Sequence, residues 1–267
     1  MEKGATAIEA NYFAHGRHEN VTRTLESTIR DSIPGNHDNC FGLNFSYMLK
    51  EKTLVFFYAD IKREQELYHD SANILNDPSY NAYNAGFDSS IVFGKRKTLG
   101  AGIEFFSKDH GKATASLAVS LGLHHSDLSE SGLLQRMPYQ RFYKVNQLSL
   151  SLQQNFLFKV SANFKLAWVM RLTILNSFKA NTNYSPDEKL NAGLRDKRMN
   201  VFFCWTGLYA DYRPLRKVPI YINGQFFNDQ SIWNRSFAKY ELGRVYIKGI
   251  GASVGLKYIF KRKKTNK

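Results

Sequence analysis

Apolar side chains recur at every second residue along most of this chain. In residues 245–260 one alternating set is apolar, with Lys248 as its only charge, and it ends in the aromatic residues Tyr258 and Phe260. The intervening set consists mainly of glycine and polar residues. A period of two predicts an extended strand, because successive side chains point to opposite faces. The sequence therefore predicts an all-β protein in which each strand has one apolar face.

The predicted strands are joined by connections that alternate between short and long. Short turns fall at residues 50–52, 108–112, 159–163 and 212–217, and long polar loops fall at residues 15–39, 63–97, 125–142, 176–198 and 227–244. This alternation is typical of a single antiparallel up-and-down transmembrane β-barrel with short periplasmic turns and long extracellular loops. We predict ten strands, counting residues 63–97 as one elaborated loop, and twelve strands are the alternative.

The composition is compatible with one domain over residues 1–267 that ends in a basic tail at residues 261–267. The chain has 37 Lys and Arg against 23 Asp and Glu, and its 6 prolines are few enough to permit long strands. It contains no run of about 20 apolar residues that would predict a membrane helix. The N-terminus lacks the charged and apolar regions of a signal peptide. We therefore expect an outer-membrane protein whose signal sequence is absent from this chain.

The period alone does not fix which face lies inside a barrel, so two interpretations remain. In a soluble, lipocalin-like barrel the apolar faces point inward and hold an apolar ligand. In a membrane barrel they face lipid, and glycine and small polar side chains line the interior. Aromatic residues near the ends of the apolar faces favour the membrane barrel, because such residues concentrate at membrane interfaces. This predicted aromatic girdle comprises Tyr12, Tyr47, Phe158, Trp168, Tyr258 and Phe260.

Charged residues on the small, polar faces form a predicted lumen charge network. Charges inside a narrow barrel must be paired, because burying an unpaired charge is costly. Two roles fit such a network: ion pairs that plug the lumen, or a narrow solute path lined by the charges. A barrel of about ten strands leaves little room for an open pore, which favours the plug. The network comprises Glu9, Glu104, Lys165, Arg171 and Lys257.

Basic residues gather at the predicted periplasmic end of the barrel. Near an anionic membrane surface each such charge contributes about 1 kcal/mol to binding. The sequence therefore predicts either a cationic rim that contacts lipid headgroups or a solvated end that aids solubility before insertion. This periplasmic basic rim comprises Lys50, Lys52, Arg213, Arg216, Lys217, Lys261, Arg262, Lys263 and Lys264, with Lys108, Lys112 and Lys159 in the other short turns.

No set of catalytic or metal-binding residues stands out, so we expect a non-enzymatic protein without cofactor or metal. The pair His124-His125 lies near Asp127 and Glu130, but adjacent residues on a strand face opposite sides and do not readily share one metal ion. The sequence contains neither a nucleophile elbow nor a phosphate-binding loop. The basic tail has no interleaved aromatic residues, so nucleic-acid binding is not expected.

Short motifs are spread over nearly the whole chain. They are the Glu2-Lys3-Gly4 opening, residues 42–47 (Gly-Leu-Asn-Phe-Ser-Tyr), residues 142–158 followed by 164–174 with Arg171, and the closing residues 255–260. Together they resemble small, poorly characterised outer-membrane β-barrels of Bacteroidota, a group often made as lipoproteins. The resemblance implies outer-membrane lipids and the outer-membrane insertion machinery as partners, since that machinery reads a closing aromatic residue such as Phe260. We also expect a monomer, and the sequence identifies no extracellular ligand or solute.

Overall fold

A computed structural model describes residues 3–22, 28–29, 36–69, 87–107, 113–134, 137–185, 199–215, 217–237 and 240–260. The strands are β1 (Thr6–Thr22), β2 (Thr28–Ile29), β3 (Asn36–Lys50), β4 (Thr53–His69), β5 (Phe87–Phe106), β6 (Ala113–Leu134), β7 (Met137–Lys159), β8 (Phe164–Ser185), β9 (Met199–Tyr212), β10 (Ile220–Phe237) and β11 (Tyr240–Phe260). Within these ranges, no helix is long and apolar enough to cross a membrane.

Ten long strands form one closed antiparallel barrel, which confirms the predicted fold class. Each long strand pairs with the next one along the chain, and β11 pairs with β1 to close the sheet. The two-residue strand β2 pairs with the end of β1. Thr6 lies opposite Phe260, so the first and last strands begin and end at the same end of the barrel. We call this the turn end, because residues 51–52, 160–163 and 213–219 connect neighbouring strands there.

The apolar face of each strand points away from the barrel axis. On β7, Leu148, Leu150 and Leu152 are 45–51% exposed, whereas Ser149 and Ser151 between them are 1–2% exposed. The same alternation holds on β3, where Phe41 and other apolar residues are exposed and Gly42 is buried. The interior is therefore lined by glycine and polar residues, together with inward apolar side chains that include Phe56, Trp205 and Phe227. This arrangement contradicts the lipocalin-like alternative, which requires the apolar faces to point inward.

Opposite the turn end lies the extended end, where the strands continue past the stretch of apolar alternation. β4 reaches His69 and β5 begins at Phe87, so much of the predicted loop at residues 63–97 is paired strand. The twelve-strand alternative is therefore wrong, because residues 87–97 begin β5 instead of forming a separate strand. Strands also extend into the other four predicted long loops. The sequence places these strand ends too early, because backbone pairing continues where the regular apolar alternation has stopped.

Several inward glycines allow close packing against neighbouring strands. The ring of Tyr58 on β4 lies over Gly100 on β5, in the space that a side chain at residue 100 would occupy. At Gly207 on β9 the neighbour is backbone: a methyl group there would lie 2.5 Å from the Phe226 carbonyl oxygen and 2.9 Å from the Phe227 Cα atom. Backbone has less freedom to move aside than the end of a side chain. Gly207 is therefore required by the close approach of β10.

We expect Gly207→Ala to destabilise the barrel by about 1–3 kcal/mol, because the added methyl group forces β9 and β10 apart. Gly224→Ala is the matched control, since its methyl group would meet its nearest neighbour, the Ser253 carbonyl oxygen, at 3.7 Å. Urea unfolding of both variants in lipid vesicles measures the difference. Equal unfolding midpoints for the two variants would show that the approach of β10 does not restrict residue 207.

Candidate functional site

The lumen near the turn end contains a buried ion pair between β9 and β11. The Lys257 ammonium group donates to Asp211 Oδ2 at 2.6 Å and to the Tyr209 hydroxyl at 3.2 Å, and that hydroxyl donates to Asp211 Oδ1 at 2.7 Å. Lys257 also lies 5.5 Å from the ring centroid of Tyr209 and 5.8 Å from that of Tyr221. The side chains of Lys257 and Asp211 are 17% and 10% exposed. Three strands thus hold one ammonium group in a defined position.

Glu9 lies opposite Lys257 in the pairing of β1 with β11. Its Oε1 atom accepts hydrogen bonds from the Asn11 side-chain amide at 2.9 Å and from the Asn223 side-chain amide at 2.8 Å. Two neutral amides therefore bind the carboxylate directly. Of the five charges in the predicted network, Glu9 and Lys257 are the two that strand pairing brings together.

Glu104 and Arg171 lie on other strands of the lumen wall and are hydrogen-bonded to neutral side chains. Glu104 Oε1 accepts from the Ser116 hydroxyl and, at 2.8 Å, from the Asn155 amide. Arg171 donates to the Ser151 hydroxyl at 3.2 Å. Hydroxyl and amide groups thus hold these two charges, and Arg171 also interacts electrostatically with the Asp60 carboxyl group.

Lys165 pairs in register with Asp211, and its side chain is exposed at the turn end. Sequence reasoning missed Asp211, which completes the ion pair with Lys257. Asp211 lies on β9, whose mixed pattern left its two faces unassigned. The available signal was the acidic residue itself, placed next to a short turn and opposite a basic residue of the neighbouring strand.

A row of polar side chains crosses the lumen wall from β4 to β7. The Thr98 hydroxyl is hydrogen-bonded to the Asp60 carboxyl group, and it lies 3.1 Å from His124 Nδ1. His124 Nε2 lies 2.7 Å from the Ser149 hydroxyl. When Thr98 donates to Asp60, it accepts from His124 Nδ1. The Ser149 hydroxyl lies between His124 Nε2 and the Gly122 carbonyl oxygen, which is 3.4 Å from it. These hydrogen bonds link neighbouring strands of the barrel. Ser149 is 1% exposed, so its hydroxyl is not an accessible nucleophile.

His124 and His125 face opposite sides of β6, as their adjacency predicts. His125 Nδ1 lies 2.7 Å from the Asn146 side-chain oxygen, and its Nε2 lies 3.2 Å from Asp127 Oδ2. The described residues contain no group of three or more histidine, cysteine, aspartate or glutamate residues that could hold a metal ion.

The aromatic girdle residues lie on the outer surface. Five are exposed and Tyr47 is half-buried; the exposed residues are Tyr12, Phe158, Trp168, Tyr258 and Phe260. The rings of Tyr258 and Phe260 contact each other edge to face, with centroids 4.5 Å apart, beside the turn end. The Trp168 indole donates to the Thr206 hydroxyl at 2.8 Å. Anchoring at a membrane interface stays a prediction for this set.

The basic rim is described in part. Lys50, Lys52, Lys159 and Lys217 are exposed at the turn end. Arg213 donates to the Val218 carbonyl oxygen at 3.0 Å, and its guanidinium carbon lies 5.8 Å from the ring centroid of Tyr221. The remaining members lie outside the described residues; they are Lys108, Lys112, Arg216, Lys261, Arg262, Lys263 and Lys264. Contact with anionic headgroups stays a prediction.

Similarity to known proteins is found at the level of structure. No protein-family model matches the sequence, and no curated protein matches it. The chain is similar to the outer membrane protease OmpT from Escherichia coli, with 10% sequence identity and a TM-score of 0.54 over 96% of this chain and 97% of that chain. The fold is that of an outer-membrane β-barrel. At this identity the likeness concerns the fold, and the protease activity is that of OmpT.

A second structure is the translocator domain of the autotransporter NalP from Neisseria meningitidis. It aligns over 96% of this chain and 88% of that chain, with 10% identity and a TM-score of 0.49. The beta domain of the Bordetella autotransporter BrkA aligns over 95% of this chain and 99% of that chain, with 11% identity and a TM-score of 0.48.

Proposed function

We propose that this chain is a non-enzymatic β-barrel of the bacterial outer membrane that binds ligands outside the cell through its extended end. The observation that carries the proposal is the length of the strands beyond the apolar belt. On β7 the regular alternation of exposed apolar residues begins at Leu148, whereas the strand begins at Met137. Phe142 is also exposed, but Lys144 separates it on the outer face from the apolar alternation. A membrane-spanning strand needs about 9–11 residues. The 23 residues of β7 therefore leave a comparable length outside the membrane.

The outer surface supports the membrane location. Exposed leucine, isoleucine, valine and phenylalanine side chains surround the barrel, as contact with hydrocarbon requires. We therefore propose that membrane lipids contact this outer surface. The closing aromatic Phe260 supports recognition by the insertion machinery, and the motifs of the sequence support an origin in Bacteroidota. Each long strand is paired on both edges, which supports a monomer.

The interior supports limited passage of small polar solutes as a secondary property. The inward side chains of Glu104, Gln153 and Arg171 are half-buried, so solvent reaches them within the lumen. The smaller residues beneath them, including Ser151 and Asn155, are buried. Polar groups that remain in contact with water are what a narrow solute path requires.

Cysteine labelling on intact cells tests the orientation and the exposed extension. In a Cys40→Ser, Cys204→Ala background, Lys144→Cys places a thiol on β7 beyond the apolar belt, where Lys144 is exposed. We expect a membrane-impermeant maleimide to label this variant on intact cells. Ala162→Cys, in the turn between β7 and β8, is the matched control and should be labelled after the outer membrane is permeabilised. Labelling of Ala162→Cys alone on intact cells would contradict the proposal.

A further inference from the structure

Four exposed cations lie near one another on the outer surface of the barrel, toward its extended end. Arg63 on β4 lies opposite Lys95 on β5 in strand pairing, and Lys97 takes the next outward position of β5 toward the apolar belt. On β7, Lys144 is separated from Lys95 by one residue of β6. We call this set the outer cationic patch, which comprises Arg63, Lys95, Lys97 and Lys144.

The patch begins where the regular apolar alternation of its strands ends. On β4, Arg63 takes the first outward position beyond the exposed residue Ile61. On β5, Lys97 takes the first outward position beyond Leu99, which is 65% exposed. Lipid headgroups begin where the hydrocarbon of a bilayer ends. The charged ends of these side chains therefore lie at the level of the headgroups, while their aliphatic stems continue the apolar surface.

A tyrosine beside the patch supports this level. The Tyr12 hydroxyl donates to Asn39 Oδ1 at 3.0 Å, and Asn39 lies opposite Arg63 in the pairing of β3 with β4. Tyrosine side chains concentrate at the boundary between hydrocarbon and headgroups. The end of the apolar alternation and the neighbouring tyrosine thus agree on where the membrane surface meets the patch.

The patch has an excess of positive charge. Arg63 and Lys95 lie directly opposite each other, and like charges in such a pair are destabilising. Asp127 lies between Lys95 and Lys144, but its carboxylate is already 3.2 Å from His125 Nε2. One carboxylate is therefore set against four cations, and an anion bound from outside would relieve their repulsion.

The positive charge is confined to one side of the barrel wall. On β3, β8 and β10, the first outward residue after the apolar alternation is an exposed asparagine; these residues are Asn39, Asn176 and Asn228. Neutral amides at the same level do not attract anions in the way that lysine and arginine do. The distribution therefore favours a discrete anionic ligand on β4 to β7 over a uniform attraction around the barrel.

We propose that the outer cationic patch binds the phosphate group of an anionic lipid in the outer leaflet. Lysine and arginine both bind phosphate, and arginine does so with two parallel hydrogen bonds. The acyl chains of the same lipid lie along the apolar surface beside Ile61 and Leu99, so one molecule contacts both surfaces. A soluble anion would contact the charges alone. The choice of the outer leaflet rests on the proposed function, which assigns the extended end to the outside of the cell.

Native mass spectrometry of the full-length protein in a non-ionic detergent tests the patch. The probes are phosphatidic acid, whose headgroup is a phosphate monoester, and phosphatidylcholine with the same acyl chains and no net charge. We expect phosphatidic acid to bind more tightly, and we expect Arg63→Gln and Lys97→Gln each to weaken its binding roughly fivefold. Equal binding of the two lipids, or unchanged binding of phosphatidic acid in both variants, would overturn the proposal.

Lys62→Gln is the matched control for Arg63→Gln. It removes one positive charge from the neighbouring position of β4, but Lys62 faces the lumen, where it interacts electrostatically with Asp60. This variant should bind phosphatidic acid as tightly as the unmodified protein. Equal losses in Lys62→Gln and Arg63→Gln would show that net charge alone attracts the lipid, which would overturn the proposal.

Competition with soluble anions distinguishes a lipid from a free phosphate. Inorganic phosphate in large molar excess should leave phosphatidic acid bound, because it makes no contact with the apolar surface. Displacement of the lipid by inorganic phosphate, or by a soluble acidic peptide, would overturn the proposal. These measurements use protein in detergent, so their result does not depend on the orientation that cysteine labelling tests on intact cells.

Discussion

Replacing Asp211 by alanine is expected to lower the free energy of unfolding by about 3 kcal/mol. The change leaves the Lys257 ammonium group in the lumen without its carboxylate, and removing one partner of a buried ion pair typically costs about 3–5 kcal/mol. We expect the low end of this range for two reasons. The Lys257 side chain is 17% exposed to solvent, and its ammonium group lies 3.2 Å from the Tyr209 hydroxyl. Urea unfolding in lipid vesicles, followed by tryptophan fluorescence, measures the loss.

The double variant Asp211→Ala, Lys257→Met separates the ion pair from packing. Removing both charges should recover part of the lost stability, because no uncompensated ammonium group remains, while Glu9 loses the cation that lies opposite it. If the double variant is as unstable as Asp211→Ala alone, removing the unpaired ammonium group brings no gain. The assignment of the ion pair as the stabilising contact would then be wrong.

Replacing Leu152 by arginine is expected to cost about 2–4 kcal/mol of stability in a bilayer. Leu152 is 45% exposed and points outward between Val119 and Leu172 on the neighbouring strands. It lies near the middle of the stretch from Leu148 to Phe158, so an arginine there would place its charge among lipid chains. The measurement is the urea midpoint in vesicles, together with the fraction of protein that acquires the faster gel mobility of a folded barrel without heating.

Leu152→Phe is the matched control for this substitution. It also enlarges the side chain and keeps an apolar surface toward lipid, so its expected change is small. The membrane assignment would be contradicted if Leu152→Arg folded in vesicles with the same midpoint as Leu152→Phe. A gain of solubility without detergent in the arginine variant would point the same way.

The faces of the strands could be predicted from sequence because a strand has a period of two. On β3, Phe41, Leu43 and Phe45 share the outer face, and the glycine and polar residues between them face the lumen. The count of ten followed from the alternation of short and long connections. Both inferences use local patterns, which the barrel preserves because the described residues form a single sheet.

The ends of the strands could not be predicted in the same way. At the extended end apolar and polar residues no longer alternate regularly, while the backbone remains paired. On β6, residues 124–134 continue the strand although they include two histidines, an aspartate and a glutamate. Hydropathy marks where a strand leaves an apolar environment, and hydrogen bonding with the neighbouring strand decides where it ends.

The partners of the lumen charges also lay beyond sequence reasoning. Which residues meet depends on the register between strands, and a register cannot be read from one strand alone. Glu104 is bound by Ser116 and Asn155, two residues with no charge to draw attention to them. Asp211 was missed because the aromatic residues on both sides of β9 hide its period.

Closure of the barrel by the first and last strands has a consequence for biosynthesis. Residues Thr6–Thr22 are matched one by one with partners from Phe260 back to Arg244, so β1 has one unsatisfied edge until β11 pairs with it. Joining the two ends of so long a chain is also slow, since the entropy lost on closing a loop grows with its length. During assembly the open barrel therefore exposes an unpaired strand edge that could recruit other polypeptides. Cells that make this protein must shield the unfinished barrel until its last strand is in place.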